Sequence, residues 1–164
     1  MEIKKDRLLL FFDTEFTDFV DMSLISIGIV SEHMHEFYAE NSEFNKARCC
    51  DFVNSEVLPK LKGGVCAMPY NHLKEKLQIW ISDLLEDYST VLLVYDYSGD
   101  WDLMNALLND YPQIGKVKSR KDDFEAGIEL FFMHNLTNQH HALFDAKALF
   151  NGFKVKYAGK DLEY

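Results

Sequence analysis

Residues 7–19 read RLLLFFDTEFTDF. An unbroken apolar run, Leu8 to Phe12, leads straight into the carboxylates of Asp13 and Glu15. A short apolar run bounded by charge has the pattern of a strand buried on both faces. Side chains alternate along a strand, so Asp13 and Glu15 project from one face, roughly 6–7 Å apart. The strand thus ends in concentrated negative charge, which is unfavourable until protons or cations neutralise it.

The neighbouring segments extend this strand into a sheet. SLISIGIV (23–30) is a second strand, and the short polar link TDFVDM (17–22) suits an antiparallel pair. HEFYAE (35–40) is a third strand. From residue 44 to about 87 the apolar residues recur at intervals of three and four, as in helices, and Pro59, Gly63, Gly64 and Pro69 divide the stretch. Within it a helix is expected near 71–87. TVLLVYDY (90–97) is a strand, and Ser98–Asp100 cap a helix from near Trp101 to Pro112. GKVKSRKDD (115–123) reads as a loop, IELFFM (128–133) as a last strand, and residues 141–156 as a final helix. The fold class is α/β: a mixed five-stranded sheet, three antiparallel strands followed by parallel βαβ units, flanked by helices.

At 164 residues the chain is expected to form one domain, 1–164, with a single core. Three cysteines, Cys49, Cys50 and Cys66, form neither an even set nor a CxxC, so reduced thiols are expected. The apolar run near the N-terminus is too short to span a membrane and no small-residue cleavage site follows, giving a cytoplasmic expectation. A formal charge of −10 argues against broad duplex binding, which needs many Lys–phosphate and Arg–phosphate contacts. It is compatible with an enzyme whose acidic residues hold cations that in turn hold phosphate.

The candidate chemistry lies at element ends, where open α/β sheets place their sites. Asp13 and Glu15 end the first strand, Asp102 opens a helix after the fourth, and His140 and Asp145 open the last helix. Each motif alone is weak: 15 Asp and 12 Glu in 164 residues supply about one DxE by chance. Two further copies, Asp123/Glu125 and Asp161/Glu163, follow no buried strand and read as surface. Asp102 also has a simpler explanation, as a carboxylate at a helix N-terminus. The weight comes from the common placement.

DTEF, YDYSGDWDLMNALL and HHALFDAKALF, in that order, resemble the DEDD superfamily of 3′–5′ exonucleases, in its histidine branch. Over nearly the full chain the pattern is most similar to the small stand-alone bacterial and phage 3′–5′ exoribonucleases, and the resemblance implies a ribonuclease-H-like fold. The family's first motif is matched by Asp13 and Glu15, and its third by His140 with Asp145–Ala146. The second, an aromatic followed by Asp, is matched by Trp101–Asp102, but Ser98 stands where Asn is usual, and Asp96 and Asp100 compete for the role. His141 is one residue too close to serve.

The resemblance implies two Mg²⁺ or Mn²⁺ ions, bridged by Asp13, with Glu15 and Asp145 on one and Asp102 on the other. His140 would be the general base, since histidine's ordinary pKa of about 6.5 suits proton abstraction at neutral pH. Phe16, with Thr14 and Trp101, would contact the terminal nucleotides, an aromatic stack being worth about 1–3 kcal/mol per base. Lys116, Lys118, Arg120 and Lys121 are candidate backbone contacts. The expected substrate is RNA or another short single-stranded 3′ end, with no membrane partner and room for a homodimer. A DNA exonuclease of proofreading or repair type, or a relative that binds nucleic acid without catalysis, is the alternative.

Overall fold

Leu8 to Phe12 form the middle of the central strand in a computed structural model, which describes residues 4–108 and 111–158. That strand, β1 (Lys5–Phe16), pairs antiparallel with β2 (Leu24–Ser31), which pairs antiparallel with β3 (Glu36–Asn41). Beyond β3 come short 3₁₀ and π turns between Lys46 and Cys66, the two-residue β4 (Ala67–Met68) and α1 (Tyr70–Asp87). This long excursion lets β5 (Tyr88–Tyr95) return parallel to β1, as a parallel pairing requires. The chain continues through α2 (Ser98–Leu108), β6 (Ile114–Lys118), α3 (Lys121–Met133) and α4 (Ala142–Lys156). The sheet order is β4-β3-β2-β1-β5-β6, a six-stranded mixed sheet compatible with a ribonuclease-H-like fold.

Alternation along β1 divides the core in two. Leu8, Leu10 and Phe12 face the cluster that contains Leu73, Leu77 and Ile81 of α1 and Met104, Leu107 and Leu108 of α2. Leu9 and Phe11 face Phe124 of α3 and Leu149 and Phe150 of α4. A strand apolar on both sides is one with helices on both sides. At its C-terminal end the same alternation carries chemistry: Asp13 and Glu15 continue the Leu9–Phe11 row, whereas Thr14 continues the row of Leu10 and Phe12.

Two glycines set how closely the helices approach. A Cβ on Gly28 of β2, the partner of Asp13 across the sheet, would lie 2.1 Å from the Leu143 amide nitrogen, so the start of α4 rests directly on the strand backbone. Gly127 of α3 similarly meets Gly152 of α4, where a Cβ would come 2.5 Å from the Gly152 Cα.

The sheet and helices differ from the sequence expectation in five places. Residues 128–133, read as a strand, are the second half of α3. Their aromatic and β-branched content suggests β structure, but Phe124, Ile128 and Phe132 recur at i, i+4 and i+8, and tertiary packing on α4 selects the helix. The loop at 115–123 supplies instead β6, an edge strand with Lys116 and Lys118 outward, a polar pattern that hides a strand from hydrophobicity but protects a sheet edge. With β4 added, the sheet has six strands rather than five. Residues 44–61 form short turns, and α2 begins at Ser98, so Gly99 and Asp100 are helical rather than a cap. Tyr111 and Pro112, where the helix from Trp101 is expected to end, are not helical and lead into β6; Asn109, Asp110 and the Asp161/Glu163 pair lie outside the described residues.

Candidate active site

The end of β1, the Asp96 step after β5, the first turn of α2 and the entry to α4 meet around one cleft of about 560 Å³. Asp13, Glu15, Asp96, Asp100, His140 and Asp145 all line it. Two sets of carboxylates bring single oxygens within 4.8 Å of one another: Asp13, Glu15 and Asp145, and Asp13, Asp96 and Asp100. Asp13 belongs to both sets.

Local structure accounts for each placement. Asp145 lies in the first turn of α4, where its carboxylate accepts from the His140 and His141 amides, and Gly28 lets that turn reach the sheet. Asp100 is 2% exposed and accepts a hydrogen bond from the Thr14 hydroxyl at 2.5 Å. The pairing of β1 with β2 slips between Glu15 and Phe16, the kind of irregularity that re-aims a side chain. Phe16 there forms an aromatic rim with Phe19 and Tyr97, ring centroids 5.1 and 6.0 Å away. Phe19 is 70% exposed, as a platform open to an incoming ring would be.

The electrostatics are those of a site short of positive charge. Burial, then the charges of Asp100, Asp145, Glu15 and Asp96, holds the Asp13 carboxyl well above the usual carboxylate range. Burial and then Asp145 push Glu15 up to about 9. Burial lifts Asp100 to about 7 against the Thr14 hydrogen bond, and Asp145 to about 7 against the bond from Glu15. Crowded hard oxygen donors of this kind are what Mg²⁺ and Mn²⁺ take as ligands, so the residues present fit divalent cations.

Not every residue expected at the site is there. Asp102 is exposed and lies outside both carboxylate sets. Helical residues turn by about 100° each, so Asp102 points roughly 200° away from Asp100 and cannot share its face. Trp101 stacks on Tyr95 at 5.7 Å beneath the Lys116 ammonium and packs on the core rather than lining the cleft. Thr14 lines the cleft with its hydroxyl engaged by Asp100. Lys116, Lys118 and Arg120 are absent from the lining, and the Lys121 side chain lies outside the described residues. Asp123 and Glu125 are exposed on α3. A signal for Asp100 was present: with Met104, Leu107 and Leu108 it forms the i, i+4, i+7, i+8 stripe of a buried helix face.

Two triads of carboxylates sharing one member, with a histidine lining the same cleft, form a donor set of the kind that holds divalent cations. Two curated relatives from Mycobacterium tuberculosis, strains CDC 1551 / Oshkosh and H37Rv, are each described as a 3′–5′ exoribonuclease and are 48% identical to this chain over 52 residues. The matched region spans 31% of this chain and 31% of each relative. No family model matches the chain.

Proposed function

We propose that the chain is a metal-dependent 3′–5′ exonuclease that removes nucleoside 5′-monophosphates from single-stranded or 3′-overhang RNA. The observation that carries this reading is the pair of carboxylate triads sharing Asp13 in the cleft that His140 also lines. The likeness to the mycobacterial exoribonucleases supports the direction and the choice of RNA. Among the described residues no helix is long and apolar enough to cross a membrane.

Each residue has a role in this reading. Asp13, Glu15 and Asp145 would hold one Mg²⁺ or Mn²⁺ ion, and Asp13, Asp96 and Asp100 the other, Asp100 taking the part expected of Asp102. When bound, such ions supply Lewis acidity toward the phosphate and an acidified water for attack on it. His140 would accept the proton of the attacking water as the P–O bond to the leaving 3′-oxygen breaks, and the released 3′-oxygen would take a proton from solvent. Thr14 keeps Asp100 turned inward. Phe16, Phe19 and Tyr97 stack terminal bases without reading sequence, as end trimming requires.

The test is to incubate the protein with 5′-labelled RNA and DNA of matched sequence in Mn²⁺, Mg²⁺ or EDTA. A ladder shortening from the 3′ end, faster on RNA and abolished by EDTA, is expected. Absence of a ladder with either metal would refute the exonuclease reading, and a faster DNA ladder would refute the RNA preference.

A further inference from the structure

Lys60 ends a 3₁₀ turn, Leu58–Lys60, directly after Phe52, Val53 and Val57, which line the cleft. Its Nζ donates to the carbonyl of Gln139 at 2.5 Å and lies 3.8 Å from Glu56. Gln139 immediately precedes His140, whose backbone has φ of 63°. A non-glycine residue in this left-handed region is strained and persists only where its surroundings impose it.

Those surroundings act residue by residue. Gln139 is held by Lys60, and the His140 ring meets the edge of Phe52 at 4.9 Å. His141, 6% exposed, stacks on Tyr38 at 4.5 Å. The backbone amides of His140 and His141 donate to Asp145. The Lys60 tether is made through a charged donor, and charge-assisted bonds are roughly twice as strong as neutral ones. The same positive charge acts on Glu15 and Asp145, opposing the upward push of their burial.

We propose that Lys60 is a positioning residue for His140: its ammonium, anchored on the Gln139 carbonyl, holds the turn in the left-handed geometry that presents the imidazole to the cleft. The inference rests on the exonuclease reading for its effect on turnover, but not for the tether itself. Lys60→Met keeps the length and the apolar stem and removes the donor, whereas Lys60→Arg keeps charge and reach. Misplacing a catalytic group by about 1 Å costs up to 10²-fold. The expected result for Lys60→Met is therefore a fall in kcat on the order of tenfold or more, with KM for RNA within about twofold of the parent. Lys60→Arg should recover most of the loss.

The second readout is hydrogen–deuterium exchange of residues 134–141 in EDTA, which requires no turnover. Exchange should accelerate in Lys60→Met and return to the parent rate in Lys60→Arg. Unchanged kcat with unchanged exchange would overturn the proposal, as would a rise in KM at constant kcat, which would make Lys60 a substrate contact instead. If the parent protein trims neither RNA nor DNA, the exonuclease reading fails while the exchange comparison still decides the tether: acceleration in Lys60→Met alone supports it, and equal rates refute it.

Discussion

Two helices deliver carboxylates to Asp13 from opposite sides of β1, by different physical means. α4 reaches the sheet through shape: Gly28 has no side chain, so the turn carrying Asp145 lies against the strand backbone, and Gly127 and Gly152 seat the same helix on α3. α2 reaches it through a polar contact, the Thr14 hydroxyl on Asp100, backed by Met104, Leu107 and Leu108 in the core. Steric placement is nearly all or none, because close-packed interiors do not deform smoothly. A single neutral donor is graded, contributing about 0.5–1.5 kcal/mol net.

The steric arm should break most severely. In Gly28→Val the new Cβ would meet the Ala142 carbonyl carbon at 2.3 Å and the Leu143 amide nitrogen at 2.1 Å, both backbone atoms unable to turn aside. Loss of roughly 3 kcal/mol or more of stability is expected, with no measurable trimming, read by denaturant melts and the ladder assay. If Gly28→Val folds and trims like the parent, the steric account of α4 is refuted.

Next comes the contrast between Asp100→Asn and Asp102→Asn. Loss of a metal-holding carboxylate should lower turnover by roughly 10²-fold or more, whereas Asp102→Asn should stay within about threefold. Equal damage from both would return Asp102 to the site. Asp13→Asn, which affects both triads, should abolish turnover and Mn²⁺ binding by calorimetry, yet stabilise the metal-free protein, which at neutral pH must otherwise hold this buried carboxyl protonated.

A smaller effect is the pH dependence of the metal-free fold. Glu15, Asp100 and Asp145 have folded pKa values of about 9, 7 and 7, above their ordinary 4.5, 3.8 and 3.8. The folded state thus retains protons that the unfolded chain has released between pH 4 and 9, and stability declines as pH rises through that window. The Tm in EDTA should fall from pH 5 to pH 9, and saturating Mn²⁺ should flatten or reverse the slope. A Tm in EDTA that rises over this range would contradict the clustering. The smallest change is expected from Thr14→Val, which should cost about 1 kcal/mol and a few-fold in turnover without altering metal stoichiometry.

The same two arms differ in how well the sequence exposes them. Asp13 and Glu15 follow an apolar run, and His140 and Asp145 open a periodic helix, so both ends of the shape-built arm are visible as local pattern. β1 and β2 are legible as short, nearly continuous apolar runs buried on both faces, and α4 as an apolar stripe at helical spacing. Asp100 was hidden because Ser98–Asp100 resembles a cap, and only the burial of residues two turns further on reveals the face it occupies. β6 and α3 were obscured in opposite ways, one being a polar edge strand and the other a helix rich in strand-forming residues. Lys60 carries no local signal, since its carbonyl partner is 79 residues away.

Gly28 also governs how the molecule responds to change elsewhere. Backbone rests on backbone near both ends of α4, at Gly28 and at the Gly127–Gly152 contact, so repacking around Phe150 or Phe153 has little room to tilt the helix. The end where Asp145 sits would scarcely travel. The spacing between Asp145 and Asp13 is therefore insulated from drift in the apolar layer, and that layer can vary in composition while the acidic pocket keeps its dimensions.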